Sequence, residues 1–163
     1  MFCTECGEKL TLMFKADEGL VPYCKKCAEY RFPRFATVVG MVVTNREKDK
    51  ILLAKHKGGE DYILFAGYIK RDETAEKAVT REFKEETKLD VVKFKYLSSR
   101  FHEPKNLLML GFLVMAEDGV PVPDANELDE AKWFTLDEAM QTIKKDSLAE
   151  AFLKSALPEI KKL

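Results

Sequence analysis

The stretch from Gly67 to Leu89 constrains this chain more than any other. Between Thr74 and Thr87, the apolar residues Ala75, Ala78, Val79 and Phe83 recur at helical spacing, with charged residues filling the other faces. On such a helix Glu82, Glu85 and Glu86 stand at i, i+3 and i+4, so three carboxylates share one face. Like charges this close destabilise a bare helix, and only Arg81 and nearby lysines offset them. A hard divalent cation with a preference for oxygen would do so, and Mg²⁺ held by a few carboxylates plus substrate phosphates fits that description. The plainer alternative is a solvated acidic face, common in a chain of which 34% is charged.

A second feature lies at the other end of the composition. All four cysteines fall near the N-terminus, as Cys3-x2-Cys6 and Cys24-x2-Cys27 with 17 residues between the pairs. Two knuckles at this spacing can converge as four thiolates in a tetrahedron, the geometry Zn²⁺ prefers; the plainer alternative is four scattered free thiols. Four protein ligands leave no open position for water, which assigns the metal a structural role. A segment this short has too little core to fold alone, so zinc would supply the missing free energy.

The texture changes after residue 30, where Tyr30-Arg31-Phe32-Pro33-Arg34 marks a junction, because Pro33 interrupts regular pairing. The expected organisation is a zinc ribbon over 1–33 and a compact α/β domain over 34–163. In the second part, residues 37–44, 51–55, 62–69, 91–96, 107–116 and 130–135 read as strands. Residues 45–50 suit a hairpin turn, and 136–163 reads as mostly helical with a break at Pro158. With 163 residues there is room for one sizeable core and a small appendage.

Net charge is −1, from 27 basic and 28 acidic residues. No basic field is available to attract a nucleic-acid backbone, so nucleic acid is not expected as a partner. No apolar run approaches the roughly 18 residues that span a bilayer, and Met1-Phe2-Cys3 does not open a signal peptide. No membrane partner is expected, and a cytoplasmic, reducing compartment is, where paired cysteines bind metal rather than form disulfides.

Gly67, Glu73, Arg81, Glu82, Phe83, Glu85, Glu86 and Leu89 together resemble the Nudix box, G-x5-E-x7-R-E-U-x-E-E-x-G-U, where U is a bulky apolar residue. That many fixed positions over 23 residues is a specific signal. Two positions depart from the usual pattern: Lys88 replaces the box's second glycine, and Asp72 stands where many members carry glycine. The resemblance implies an α/β/α sandwich around a mixed sheet. It implies Mg²⁺ or Mn²⁺ on Glu82, Glu85 and Glu86, with the Gly67 carbonyl and Glu73 as further candidates, and Arg81 orienting the glutamates. Glu127, in a segment resembling the family's glutamate-to-tryptophan stretch before the last strand (here E-x5-W, to Trp133), shares with Glu82 the candidacy for general base. The reaction so implied is hydrolysis of a nucleoside diphosphate linked to another moiety.

A four-cysteine ribbon ahead of such a box is similar to the NADH pyrophosphatase branch, whose "Y-P-R" entry resembles Phe32-Pro33-Arg34. A homodimer is compatible with that likeness. The branch's S-Q-P-W-P-F-P-x-S array is absent, since Ser99-Arg-Phe-His-Glu-Pro-Lys-Asn-Leu107 stands in its place. Arg100, His102 and Lys105 there suit a phosphate or ribose, and the expected partner is a small nucleoside diphosphate derivative such as ADP-ribose or NAD(H). His102 as an ordinary loop histidine is the alternative. A non-catalytic adaptor, reading nucleic acid through the ribbon or sensing a nucleotide, is the rival function, and a hydrolase of RNA caps or NAD caps is a third.

Overall fold

The computed structural model describes all 163 residues, Met1–Leu163, which divide into two compact units, Met1–Phe35 and Ala36–Leu163. The first is a three-stranded antiparallel sheet of β1 (Thr11–Lys15), β2 (Gly19–Cys24) and β3 (Glu29–Tyr30), in the order β1-β2-β3. Its buried apolar residues are Cys3, Val21 and Cys24 alone, far too little surface to offset the entropy of ordering 35 residues. Something besides a hydrophobic core must hold this unit together.

The second unit is built on a seven-stranded mixed sheet. Its strands are β4 (Ala36–Thr44), β5 (Lys50–His56), β6 (Tyr62–Ile63), β7 (Phe65–Tyr68), β8 (Val91–His102), β9 (Leu107–Ala116) and β10 (Leu128–Thr135). The order β10-β5-β4-β9-β8 runs across the sheet, with β6 added to β5 and β7 to β4. The β4–β9 pair is parallel and the remaining pairs are antiparallel. Helix α1 (Ala75–Thr87) covers one face; α2 (Leu136–Thr142) and α3 (Leu148–Ile160) cover the other.

Alternation along β4 produces this layering. Val39, Met41 and Val43 pack with Ala78, Val79 and Phe83 of α1, while Val42 packs with Phe152, Leu153 and Ala156 of α3. A strand buried on both faces reads as a continuous apolar run, as Thr-Val-Val-Gly-Met-Val-Val does. The expected sandwich around a mixed sheet is therefore present.

Three elements differ from the sequence expectation. The run 62–69 is two strands, because Tyr62 and Ile63 pair with β5 whereas Phe65–Tyr68 pair with β4. The strand expected to end at residue 96 continues to His102 across a register shift between Tyr96 and Ser98. His102 is thus a strand residue opposite Leu107 rather than a loop histidine. The C-terminal helices part at 143–147, not at Pro158, which lies inside α3. Asp146 takes φ 53°, and the Ser147 hydroxyl accepts the Glu150 N–H at 3.2 Å to start a new helix. A proline one turn from a helix end removes only one ladder bond, so the helix runs on.

Candidate active site

Strand β7 delivers the site. Gly67 pairs with Val39 on β4, and a Cβ built on it would lie 2.0 Å from Cδ of Glu82. Only glycine leaves room for that carboxylate against the strand. The chain then turns through Lys70–Glu73, where the Glu73 N–H donates to the Lys70 carbonyl at 3.2 Å. Asp72 holds φ 61° in this turn, so the left-handed backbone of the usual glycine is kept by an aspartate, a residue that tolerates it. Thr74 caps α1 by accepting the Lys77 N–H at 3.4 Å.

Arg81 ties turn, strand and helix together. Its Nε and Nη2 donate to the two oxygens of Glu73 at 2.6 and 2.7 Å. Nη2 also reaches the Tyr68 carbonyl at 3.0 Å, while Nη1 meets Glu82 at 2.6 Å and Glu85 at 3.1 Å. A bidentate fork of this kind fixes geometry as well as charge. The guanidinium, with the Lys70 N–H, holds the Glu73 carboxyl down at about 2. Arg81 is correspondingly pushed upward, by Glu73 first.

The three carboxylates of the shared helix face lie at different depths. The Glu85 side chain is 51% exposed, Glu82 13%, and Glu86 as a residue only 5%. Burial, then the charges of Glu82, Glu127, Glu85 and Asp124, push the Glu86 carboxyl up to about 8. Glu86 Oε2 is buried with no hydrogen-bond partner. A buried, unpartnered oxygen under the charge of four further carboxylates is what a cation would satisfy, and hard oxygen donors in this number suit Mg²⁺ or Mn²⁺. Helix α1 ends at Lys88, which keeps the left-handed φ of 63° and donates its N–H to the Lys84 carbonyl at 3.0 Å. The lysine thus adopts the glycine conformation at a cost of about 1 kcal/mol.

Glu82 and Glu85, with Gly67 and Arg81, open onto a cleft of about 640 Å³. Gly67, Arg81, Glu82, Glu85 and Glu127 line its acidic end; Val38, Leu107, Met109, Leu148 and Ala149 give it an apolar wall. His56, Lys70 and Lys105 add basic groups. Of the other sequence candidates, Glu73 stands behind Arg81, and Glu86 lies within the carboxylate cluster. Arg100 and His102 are not in the cleft walls, and the Arg100 guanidinium sits 5.6 Å over the Phe152 ring. Reasoning from sequence missed Asp124, whose N–H donates to the Glu86 carbonyl at 3.1 Å. It also missed the wall from Leu148 and Ala149, some 60 residues beyond the box, which no spacing rule could have tied to it.

In the N-terminal unit the four cysteine Sγ atoms lie within 4.8 Å of one another. Sulfurs about 2.3 Å from a tetrahedral zinc stand about 3.8 Å apart, and those of Cys6 and Cys24 are 3.5 Å apart. The quartet therefore fits Zn²⁺. Arg31 Nε donates to the Cys3 sulfur at 3.3 Å and holds its thiol down at about 6. A tetrathiolate site carries net negative charge, so this guanidinium is a suitable counter-ion.

With this geometry in place, comparison with known proteins is decisive: the NUDIX domain matches residues 34–155. The chain belongs to the NUDIX domain family. Among curated proteins, the NAD-capped RNA hydrolase NudC of Photobacterium profundum is 32% identical over 162 residues, covering 98% of this chain and 59% of that protein. The NudC of Pseudomonas aeruginosa is 33% identical over 138 residues, 83% of this chain and 48% of the relative. The chain thus spans about three-fifths or less of the length of these relatives. The likeness agrees with the NADH pyrophosphatase branch expected from a ribbon ahead of a Nudix box. Among solved structures, a NUDIX hydrolase from Nitrosomonas europaea covers 97% of this chain and 90% of its own at TM-score 0.70 and 22% identity. A NUDIX-family hydrolase from Clostridium perfringens covers 80% and 99% at TM-score 0.66 and 18% identity. Both share the Nudix fold.

Proposed function

We propose that this chain hydrolyses a nucleoside diphosphate linked to a second moiety, with NAD(H), ADP-ribose and related compounds as the substrate class. The observation that carries the reading is the buried, unpartnered Oε2 of Glu86, on which the charges of Glu82, Glu85, Asp124 and Glu127 act, three of them (Glu82, Glu85 and Glu127) lining the cleft. Glu82, Glu85 and Glu86, with the Gly67 carbonyl, would hold Mg²⁺ or Mn²⁺, and Glu73 stands ready to support that set through Arg81. Bound there, the cation neutralises charge on a pyrophosphate and lowers the pKa of an attacking water. Cysteines 3, 6, 24 and 27 would hold a structural Zn²⁺ in the ribbon, which we place over 1–33, with the hydrolase domain over 34–163.

The protein's own groups divide the remaining work. Arg81 keeps Glu82 and Glu85 oriented. Glu82 or Glu127 accepts the proton of the attacking water, since both face the cleft. The apolar wall of Val38, Leu107, Met109, Leu148 and Ala149 takes a base or nicotinamide ring, and Lys105 contacts phosphate or ribose. Arg100 and His102 have a weaker claim to substrate, standing outside the cleft walls.

The test is a panel of ADP-ribose, NADH and an NAD-capped RNA oligonucleotide, each with Mg²⁺, Mn²⁺ or a chelator. Metal-dependent cleavage at the pyrophosphate of at least one is expected, and inertness toward all three would overturn the proposal. The RNA arm is a second reading, favoured by the relatives named NAD-capped RNA hydrolase although the net charge of −1 offers no general RNA attraction. Glu82→Gln and Glu127→Gln, compared at saturating metal, separate the two candidate bases. Near-normal rates in both would remove the base assignment.

A further inference from the structure

We propose that Lys57 is a positioning residue that clasps the Asp124–Leu128 loop and so holds Glu127 over the cleft, an inference that rests on Glu127 taking part in the proposed reaction. Glu127 lies on a loop, and its own side chain makes no hydrogen bond or ion pair. Its direction is therefore set by the backbone that carries it. On one side that backbone hangs from the end of α1, through the Asp124 N–H to the Glu86 carbonyl at 3.1 Å and the Val122 N–H to the Thr87 carbonyl at 2.8 Å. Within the loop, the Glu127 and Leu128 N–H groups both donate to the Asp124 carbonyl, at 3.0 and 2.8 Å.

The other side is held by the loop that follows β5. The Lys57 N–H donates to the Glu127 carbonyl at 2.8 Å, and Lys57 Nζ donates to the Ala125 carbonyl at 2.8 Å. The Gly58 N–H then donates to Oδ2 of Asp129 at 2.7 Å. Two sequence details make this clasp. Gly58 adopts φ +71°, a backbone that few side chains permit. The β5–β10 ladder slips between Leu128 and Glu130, so Asp129 falls at a bulge, the kind of irregularity that re-aims a side chain. One lysine thus grips the loop on both sides of Asn126, immediately before the residue that faces the cleft. A side-chain amine on a carbonyl is a charge-assisted bond, stronger than its neutral equivalent. The alternative role, a direct contact with substrate phosphate, would leave Nζ no reason to be spent on a backbone carbonyl.

The experiment is a double-mutant cycle on the full chain with ADP-ribose and Mg²⁺, combining Lys57→Met with Glu127→Gln. Misplacing a reacting group by a fraction of an ångström costs about tenfold or more in rate. The expectation is therefore a fall of about tenfold in kcat for Lys57→Met with KM unchanged, and recovery in Lys57→Arg. Asp129→Ala should reproduce the loss. Lys57→Met added to Glu127→Gln should cause no further fall, because the clasp acts through that carboxylate. Amide hydrogen exchange over residues 122–130 should quicken in Lys57→Met at unchanged melting temperature, a readout independent of turnover. A higher KM at constant kcat, additive losses, or unchanged exchange would each overturn the proposal. A Glu127→Gln variant of normal rate would show instead that the Glu127 reading itself had failed, and the clasp with it.

Discussion

Glu86 is the residue where burial and chemistry oppose each other most directly. Its folded-state carboxyl titrates near 8, raised first by burial and then by the charges around it, whereas in an unfolded chain a glutamate titrates at about 4.3. Between those values the folded protein holds a proton that the unfolded chain has released, so stability falls as pH rises through the window. The contribution is complete below about pH 4.3 and gone above about pH 8. Metal-free protein should accordingly melt at a lower temperature at pH 8 than at pH 6, and Glu86→Gln should reduce that slope. A slope identical in the variant would assign the effect to another group. The same linkage makes Mg²⁺ binding tighten as pH rises over this range, with release of the Glu86 proton. Glu73, held near 2 by Arg81, is ionised throughout and adds nothing to this window.

At the scale of the element, α1 is a helix whose ends carry as much information as its middle. Thr74 begins it, and Lys88 ends it in the left-handed region usual for glycine. Lys88→Gly should relieve about 1 kcal/mol of backbone strain, less the entropy glycine loses on folding. Thermal unfolding of Lys88→Gly should show an unchanged or modestly higher midpoint, with catalytic rate unaffected because no carboxylate shifts. A large loss of stability would mean that the Lys88 side chain, whose Nζ donates to the Glu85 carbonyl at 2.9 Å, outweighs the strain. The element scale also shows why spacing rules reached only part of the site. Periodicity of 3.6 placed Glu82, Glu85 and Glu86 on one face, but their graded exposure depends on β4 and β7 lying beneath the helix.

At the scale of the whole molecule, the two units are stabilised by different physics. Ala36–Leu163 buries two apolar clusters on either face of its sheet, whereas Met1–Phe35 buries little beyond Cys3, Cys24 and Val21. Chelation of zinc should therefore unfold the ribbon and leave the larger unit folded. Circular dichroism before and after chelation should retain most of the sheet signal, with ribbon amides losing protection against exchange. Collapse of the entire signal would show that the units fold as one. No helix of the protein is long and apolar enough to cross a membrane.

The sequence by itself determined the box from Gly67 to Leu89, the cysteine quartet, the helix and most strands, and through them the Nudix fold. Each of these is a local pattern, set by helical or strand periodicity and by ligand spacing. The tertiary structure decided what depends on distant segments meeting: the split of residues 62–69 between two partner strands, the break at 143–147, and the walls of the cleft. It also decided which glutamate is buried. That quantity depends on packing from every side, so Glu86 and Glu85, adjacent and identical in sequence terms, differ wholly in depth, and burial pushes the Glu86 carboxyl up.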